Sequence, residues 1–266
     1  MRKLALMLMI VSFAAAAQAQ VIATRSGSAE LLIPAAGTVT GANGEVFRSD
    51  ITVVNYRNSD QIVQFRWLPQ GMSGVDIPPV QITMPAGTGI VSEDFVTNIL
   101  KQSGLGAILI TGFNSNGLLD FNANLVASSR IWSNQPGSAT GTVSQTFPVL
   151  SAVDINSSPA LAILGVRNDS RYRLNVGIVN LDGSSTQVFR VAIGSGTNAT
   201  VISGVPVEPF SMRQVPMSSN GSDPVQIIVT PVTNPTFANW TAYASSVDNV
   251  TGDSWSAIGF VPKVQP

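Results

Sequence analysis

Phe47-Arg48-Ser49-Asp50-Ile51-Thr52-Val53-Val54-Asn55 returns in the second half of the chain as Tyr172-Arg173-Leu174-Asn175-Val176-Gly177-Ile178-Val179-Asn180. An aromatic residue, an Arg, an Asp or Asn, a set of aliphatics and a closing Asn fall in the same places. Ile51, Val53 and Asn55 alternate with Thr52 and Val54, the period of two that marks a strand with one buried face. A turn follows in each copy, Arg57-Asn58-Ser59-Asp60 and Asp182-Gly183-Ser184-Ser185. A strand carrying Phe65-Arg66 or Phe189-Arg190 comes next.

Working outward, Ala127-Ser128-Ser129 matches Ala244-Ser245-Ser246, and Leu32-Ile33-Pro34, Phe147-Pro148-Val149 and Phe260-Val261-Pro262 mark the start, junction and end of the copies. Self-similarity in a fixed order is the mark of a duplicated unit. The expected division is a signal peptide at 1–19, an N-terminal linker at 20–30, one β-sandwich domain at 31–146 and a second at 147–266. Residues 107–111 and 225–230 read as further strands. Asn43-Gly44, Asn116-Gly117, Asp182-Gly183 and Asn220-Gly221 read as turns favouring positive φ. A short helix is expected in the first copy, capped by Ser92, with Glu93 and Asp94 in its first turn and Gly104 ending it. The fold class that follows is all-β: two tandem antiparallel, immunoglobulin-like sandwiches with one short helix in the first.

Phe47-Arg48-Ser49-Asp50 with Val53-Val54-Asn55, then Phe65, then Ala127-Ser128-Ser129-Arg130, resembles a repeat found in secreted bacterial proteins. Leu164-Gly165-Val166-Arg167, Arg173-Leu174-Asn175-Val176-Gly177 and Ala244-Ser245-Ser246-Val247-Asp248-Asn249 are similar to the same group. The resemblance implies a tandem β-sandwich and export. It brings no catalytic or binding residues with it, and Val247 stands where Arg130 stands in the first copy.

Export is also read from the first residues directly. Arg2 and Lys3 precede an apolar run from Leu4 to Ala16, and Ala17-Gln18-Ala19 gives the small-x-small pattern before a cut at Gln20. The run is too short to span a bilayer as a helix, so a periplasmic or extracellular protein is expected. Removing that leader takes two of the 14 basic and none of the 15 acidic side chains, leaving a net charge of −3. Without a basic run, nucleic acid is not an expected partner, and no membrane span is expected either. A protein or glycan at the cell surface, or a second copy of the chain, is.

The chain has no histidine and no cysteine. Ser-His-Asp and Cys-His nucleophilic systems are thereby excluded, as are ordinary zinc, haem and iron–sulfur ligation. Disulfides are excluded too. Neither a nucleophile elbow nor a phosphate-binding glycine loop occurs. No catalytic residue and no cofactor is expected. What stays open is carboxylate chemistry and hard cations, but Glu93-Asp94 suits a helix start, and Asp60, Asp182, Asp223 and Asp253 read as turn residues. Asp248-Asn249-Val250-Thr251-Gly252-Asp253 gathers oxygens in one loop, making Asp248 and Asp253 a weak calcium candidate beside the simpler reading of a hairpin turn.

Each Trp must be given a face. Trp67 runs in step with Val63 and Phe65, and Trp240 with Ala242 and Ala244, so both belong to a core; Trp255 is ambiguous. Trp132 ends a polar strip of Asn122, Asn124, Val126, Ser128 and Arg130. Trp132, Arg130, Asn122 and Asn124 are therefore the candidate ligand platform, with packing against the other domain as the alternative. The leading function is a non-enzymatic secreted or cell-envelope structural or adhesive module. Behind it come a carbohydrate-binding module using the Trp/Arg strip, and a carboxylate-dependent hydrolase.

Overall fold

The computed structural model describes residues 27–41, 44–135, 140–155, 159–194, 199–218, 222–232 and 239–262. The signal-peptide segment and most of the linker lie outside the described residues, as do Asn43, Asn220 and Gly221.

Among the described residues the regular elements are strands apart from one α-helical turn and one 3-10 turn. Its first half contributes β1 (Glu30–Thr40), β2 (Val46–Asn55), β3 (Gln61–Pro69), β4 (Val80–Met84), β5 (Gly89–Ser92), β6 (Gly104–Phe113), β7 (Leu125–Asn134), β8 (Thr142–Thr146) and β9 (Leu150–Ser151). The second half contributes β10 (Leu161–Asn168), β11 (Tyr172–Asn180), β12 (Gln187–Ile193), β13 (Thr200–Val207), β14 (Ser211–Met217), β15 (Ser222–Pro231), β16 (Trp240–Asp248) and β17 (Ser254–Ile258). Every pairing between these strands is antiparallel.

The two halves repeat one strand order. In the first, β4-β3-β6-β1 forms one layer and β5-β2-β7-β8 the other; in the second, β13-β12-β15-β10 and β14-β11-β16-β17 do the same. In the first half β1 pairs with β6 over most of its length and with β2 at its end, so both layers join into one sheet that folds over on itself. The register of β1 shifts between Ile33 and Ala36, around Pro34, which has no N–H to give to a ladder. In β10 it shifts between Ile163 and Val166, beside Gly165 at φ +79°. Sheet pairing in the first half runs on through β9, which lies against Leu31 and Leu32, past the expected boundary at residue 146.

Each half encloses its own apolar core between its two layers. Ile51, Val53, Val63, Phe65, Trp67, Ile108, Ile110, Leu125 and Ala127 fill the first. Leu174, Val176, Ile178, Phe189, Val191, Ile227, Val229, Trp240, Ala242 and Ala244 fill the second. Trp67 and Trp240 are both core, the latter 5.0 Å from the Phe189 ring. Burying such a side chain contributes on the order of 1.5–3 kcal/mol, so the alternation read in β2 and β3 is the main stabilising pattern.

Asn55 and Asn180 are buried among these apolar residues and make the same bonds. Asn55 Nδ2 donates to the carbonyls of Ser59, Met84 and Pro85 at 3.0–3.2 Å, while its Oδ1 accepts from Arg57 N at 3.0 Å. Asn180 Nδ2 donates to Ser185, Val207 and Glu208 at 3.0–3.1 Å, and its Oδ1 accepts from Asp182 N at 2.9 Å. The closing Asn of the repeated stretch thus fastens the end of a strand in one layer to the chain entering and leaving the other.

Several local expectations are corrected. Val53 lies opposite Ala127, but its counterpart Ile178 lies opposite Ala242, so the two Ala-Ser-Ser runs stand two residues out of step. The helix is a single turn, α1 (Phe95–Asn98), capped by Asp94 rather than Ser92, which is held in β5 opposite Ile51. Asp223 lies in β15 rather than a turn. Gly117 has φ +74°, as expected of its turn, but Gly183 is not at positive φ: a Cβ there would come within 2.4 Å of the Phe210 ring, so the position needs space.

The halves pack face to face. Leu32, Leu68 and Ala107 on the outer face of β4-β3-β6-β1 meet Val179 and Met212 on the outer face of β14-β11-β16-β17. Tyr243 closes the same seam against Phe147 and Ala35, its ring 5.3 Å from that of Phe147 at 81°. Tyr243 lies flat over Gly177, where any Cβ would fall 2.1 Å from the ring. Gly177→Ala should therefore destabilise the protein by about 1–3 kcal/mol through overpacking. Asn180→Ala should cost about 2–4 kcal/mol by stranding buried carbonyls. Chemical denaturation of the single variants checks both, and an Asn180→Ala midpoint equal to wild type would refute the fastening role.

Candidate functional site

On β7 the core face carries Leu125 and Ala127, and Val126, Ser128, Arg130 and Trp132 point the other way, Arg130 being exposed and Trp132 half-buried. β2 lies alongside in register, Arg48 opposite Trp132 and Asp50 opposite Arg130. Asp50 accepts from Arg130 Nε at 2.8 Å through Oδ2 and from the Trp132 indole N–H through Oδ1. The Arg48 guanidinium carbon lies 5.5 Å from the Trp132 ring centroid. Arg130 and Trp132 are thus brought together, with Arg48 and Asp50 as partners that the sequence reading did not single out. Two cations around one carboxylate and one ring hold the indole in a fixed plane.

Asn122 and Asn124 are not part of that strip. β7 begins only at Leu125, because Asp120 draws the preceding chain into a turn: its Oδ1 accepts from Asn122 N at 3.0 Å, and its Oδ2 binds Arg57. The Asn124 carbonyl accepts from Tyr56 N at 2.9 Å. Both residues sit at the loop end of the first half, with the exposed side chains of Tyr56, Leu118 and Phe121.

Asp248 is buried at the end of β16 and its carboxylate is surrounded by donors. Arg171 Nε and Nη2 donate to Oδ2 at 2.9 and 2.7 Å, and the amides of Val250 and Thr251 donate to Oδ1 at 2.8 and 3.4 Å. Asp253 closes the hairpin through its carbonyl, which accepts from Asp248 N at 2.8 Å, and its Oδ1 accepts from Ser254 N at 3.0 Å. A cation needs free acceptors; here N–H groups face the oxygens. The arrangement is that of a capped hairpin turn. The Arg171 hydrogen bonds, followed by the Val250 amide, hold the Asp248 carboxyl at about 2. Asp182 is held at about 2 by the hydroxyl and amide of Ser184 and the hydroxyl of Ser185.

Trp255, whose face the sequence left open, donates its indole N–H to the Gly165 carbonyl at 2.8 Å and stacks edge-on with Tyr172 at 5.6 Å. Arg167 lies 4.2 Å from the Tyr172 centroid.

The structure adds a site that the sequence reading missed. At the margin of the seam between the halves lies a cleft of about 350 Å³, with Phe47, Ile131 and Gln145 on one side and Asn175, Gln214 and Ser245 on the other. Gln145 Oε1 accepts from Ser245 Oγ at 2.8 Å across the seam. The signal available was β16 itself: Thr241, Tyr243 and Ser245 alternate with Trp240, Ala242 and Ala244, so neither face carries a charge before Asp248 at the strand's end. Aromatic and small residues on both faces of a long strand fit burial on both.

The chain matches no protein-family model, no curated protein and no solved structure. Among the described residues no helix is long and apolar enough to cross a membrane.

Asp182 and Asp248 carry a pH dependence with a definite sign. Both are held below the ordinary value of roughly 3.9, so their contribution to stability is complete above that value and is lost as pH falls from there toward about 2. Thermal melting of wild type should fall steeply across that window, and Asp248→Asn should flatten the fall. Parallel curves for the two proteins would refute the assignment.

Proposed function

We propose that the chain is an exported, non-enzymatic structural or adhesive module made of two tandem immunoglobulin-like sandwiches. In this reading each half keeps the second-with-fifth and third-with-sixth pairings of the immunoglobulin order. Its first strand lies beside the sixth and its seventh beside the second. The leader read in residues 1–19 and the likeness to secreted bacterial repeats support export.

The observation that carries the adhesive reading is the free edge at β4. Among the described residues Val80-Gln81-Ile82-Thr83-Met84 pairs with β3 on one side only and, between Pro79 and Pro85, has no charged side chain, bulge or proline. Such an edge offers a row of backbone donors and acceptors to a partner strand. The equivalent edge, β13, is interrupted by Gly204 at φ +71° and by Pro206, so of the two it is β4 that offers a docking edge. Asp50, Asp120 and Asp248 each hold an Arg, which engages these three carboxylates structurally and supports the non-enzymatic reading. A carbohydrate platform at Trp132 and Arg130 is the rival reading, favoured by the outward indole; equal signals from wild type and Trp132→Ala on a glycan array would remove it.

Size-exclusion chromatography of the mature protein should show self-association or retention of cell-surface material. Gln81→Lys with Thr83→Lys should abolish it, because both side chains are exposed and place charge on the edge. A wild type that stays strictly monomeric and retains nothing sinks this reading.

A further inference from the structure

We propose that the cleft at the seam binds a neutral saccharide of one or two rings, with Gln145 as its central hydrogen-bond donor. The cleft lies on the opposite side of β7 from Trp132, so it is a different site from the carbohydrate platform weighed above. Its volume of about 350 Å³ falls at the small end of ligand pockets.

Three observations choose the ligand chemistry. The first is an unanswered donor. Gln145 sits on β8 opposite Ile131, and its Oε1 is engaged by Ser245. Its Nε2 is buried and has no partner among the described residues. Buried polar groups are nearly always paired, so this orphaned amide calls for an acceptor, which a ligand supplies once a turn of the side chain presents Nε2 to the cleft. The second is the set of polar side chains placed in a mainly apolar lining. Asn175 and Gln214 line the cleft from β11 and β14, Gln214 also hydrogen-bonding Tyr243, and side-chain amides offer donor and acceptor side by side, the pattern that adjacent sugar hydroxyls satisfy. Phe47 and Ile131 add the apolar surface against which a ring's C–H face packs. The charged lining residues, Glu45 and Arg173, are of opposite sign, so the cleft selects neither anion nor cation.

The third observation excludes a peptide strand. β8 and β17 are the sheet edges that border the cleft, and a peptide would bind by adding to one of them. Their edges already face each other: Ser256 Oγ donates to the Thr146 carbonyl at 2.7 Å and Ser254 Oγ to the Ser144 carbonyl at 3.5 Å. With that edge bridged by hydroxyls, recognition falls to side chains alone, which suits a sugar.

Isothermal titration of the mature protein with cellobiose, maltose and N,N′-diacetylchitobiose, each to about 10 mM, tests this. At least one should bind. Gln145→Glu keeps the acceptor for Ser245 and replaces the donor with oxygen, so it should weaken binding at least about tenfold. Phe47→Ala, at the half-buried rim, should weaken it too, and Trp132→Ala should bind as wild type. No binding by any of the three sugars overturns the proposal. So does unchanged binding in both Gln145→Glu and Phe47→Ala, or loss confined to Trp132→Ala. The measurement uses isolated protein and small sugars, so it stands or falls apart from edge-strand association at β4.

Discussion

A buried side-chain amide that donates to three carbonyls holds each half of this protein together. Two layers of strands packed on apolar side chains are free to slide or splay unless something directional joins them, because the hydrophobic contribution has no preferred geometry. In the first half Asn55 supplies that direction together with β1, which pairs into both layers, and in the second half Asn180 supplies it. Each sits at the end of a strand in one layer. Each binds the turn that opens the next strand of the other layer, and then the segment by which the chain crosses back. The amide is shielded from water, so these bonds do not compete with solvent, and no apolar residue of the same size could replace them.

This explains which parts of the fold were legible. Ile51, Val53, Val63 and Phe65 announce their faces by period alone, and the closing Asn announced itself by recurring. What it does could not be read, since an Asn after a run of aliphatics looks like any turn residue. Small residues misled in the opposite way. Ala-Ser-Ser carries little side chain with which to specify a register, and in the second half Trp240 sets it instead, by filling the core beside Phe189 and placing Ala242 opposite Ile178. Ser92 is a reasonable cap by sequence, but β5 takes it; Asp94, two residues on, fills the role by accepting from Thr97 N at 3.3 Å.

The candidate sites divide along the same line. Arg130 and Trp132 share a face because strand period dictates it, and that much was readable. Asn122 and Asn124 join the strip only if the strand period is extended back through the turn that Asp120 makes. Arg48 and Asp50 were hidden for the reason that cross-strand neighbours always are: nothing in β7 names its partner on β2. The seam was hidden more deeply, since β1 and β16 are buried on both faces and a face packed on another half reads like a core.

The seam in turn determines what kind of surface its margin can offer. Gly177 admits the Tyr243 ring, and Tyr243 and Phe147 then bring the outer faces of two sheets into contact along their centres. Sheets carry a right-handed twist, so two that touch at the centre diverge toward their corners. At this corner the divergence is bridged by Ser245, Ser254 and Ser256 reaching across to Gln145, Ser144 and Thr146. Hydroxyls and amides can close such a gap without the desolvation cost that an ion pair would carry there. A margin built that way sets polar groups in a mainly apolar wall, and those groups also join the two halves.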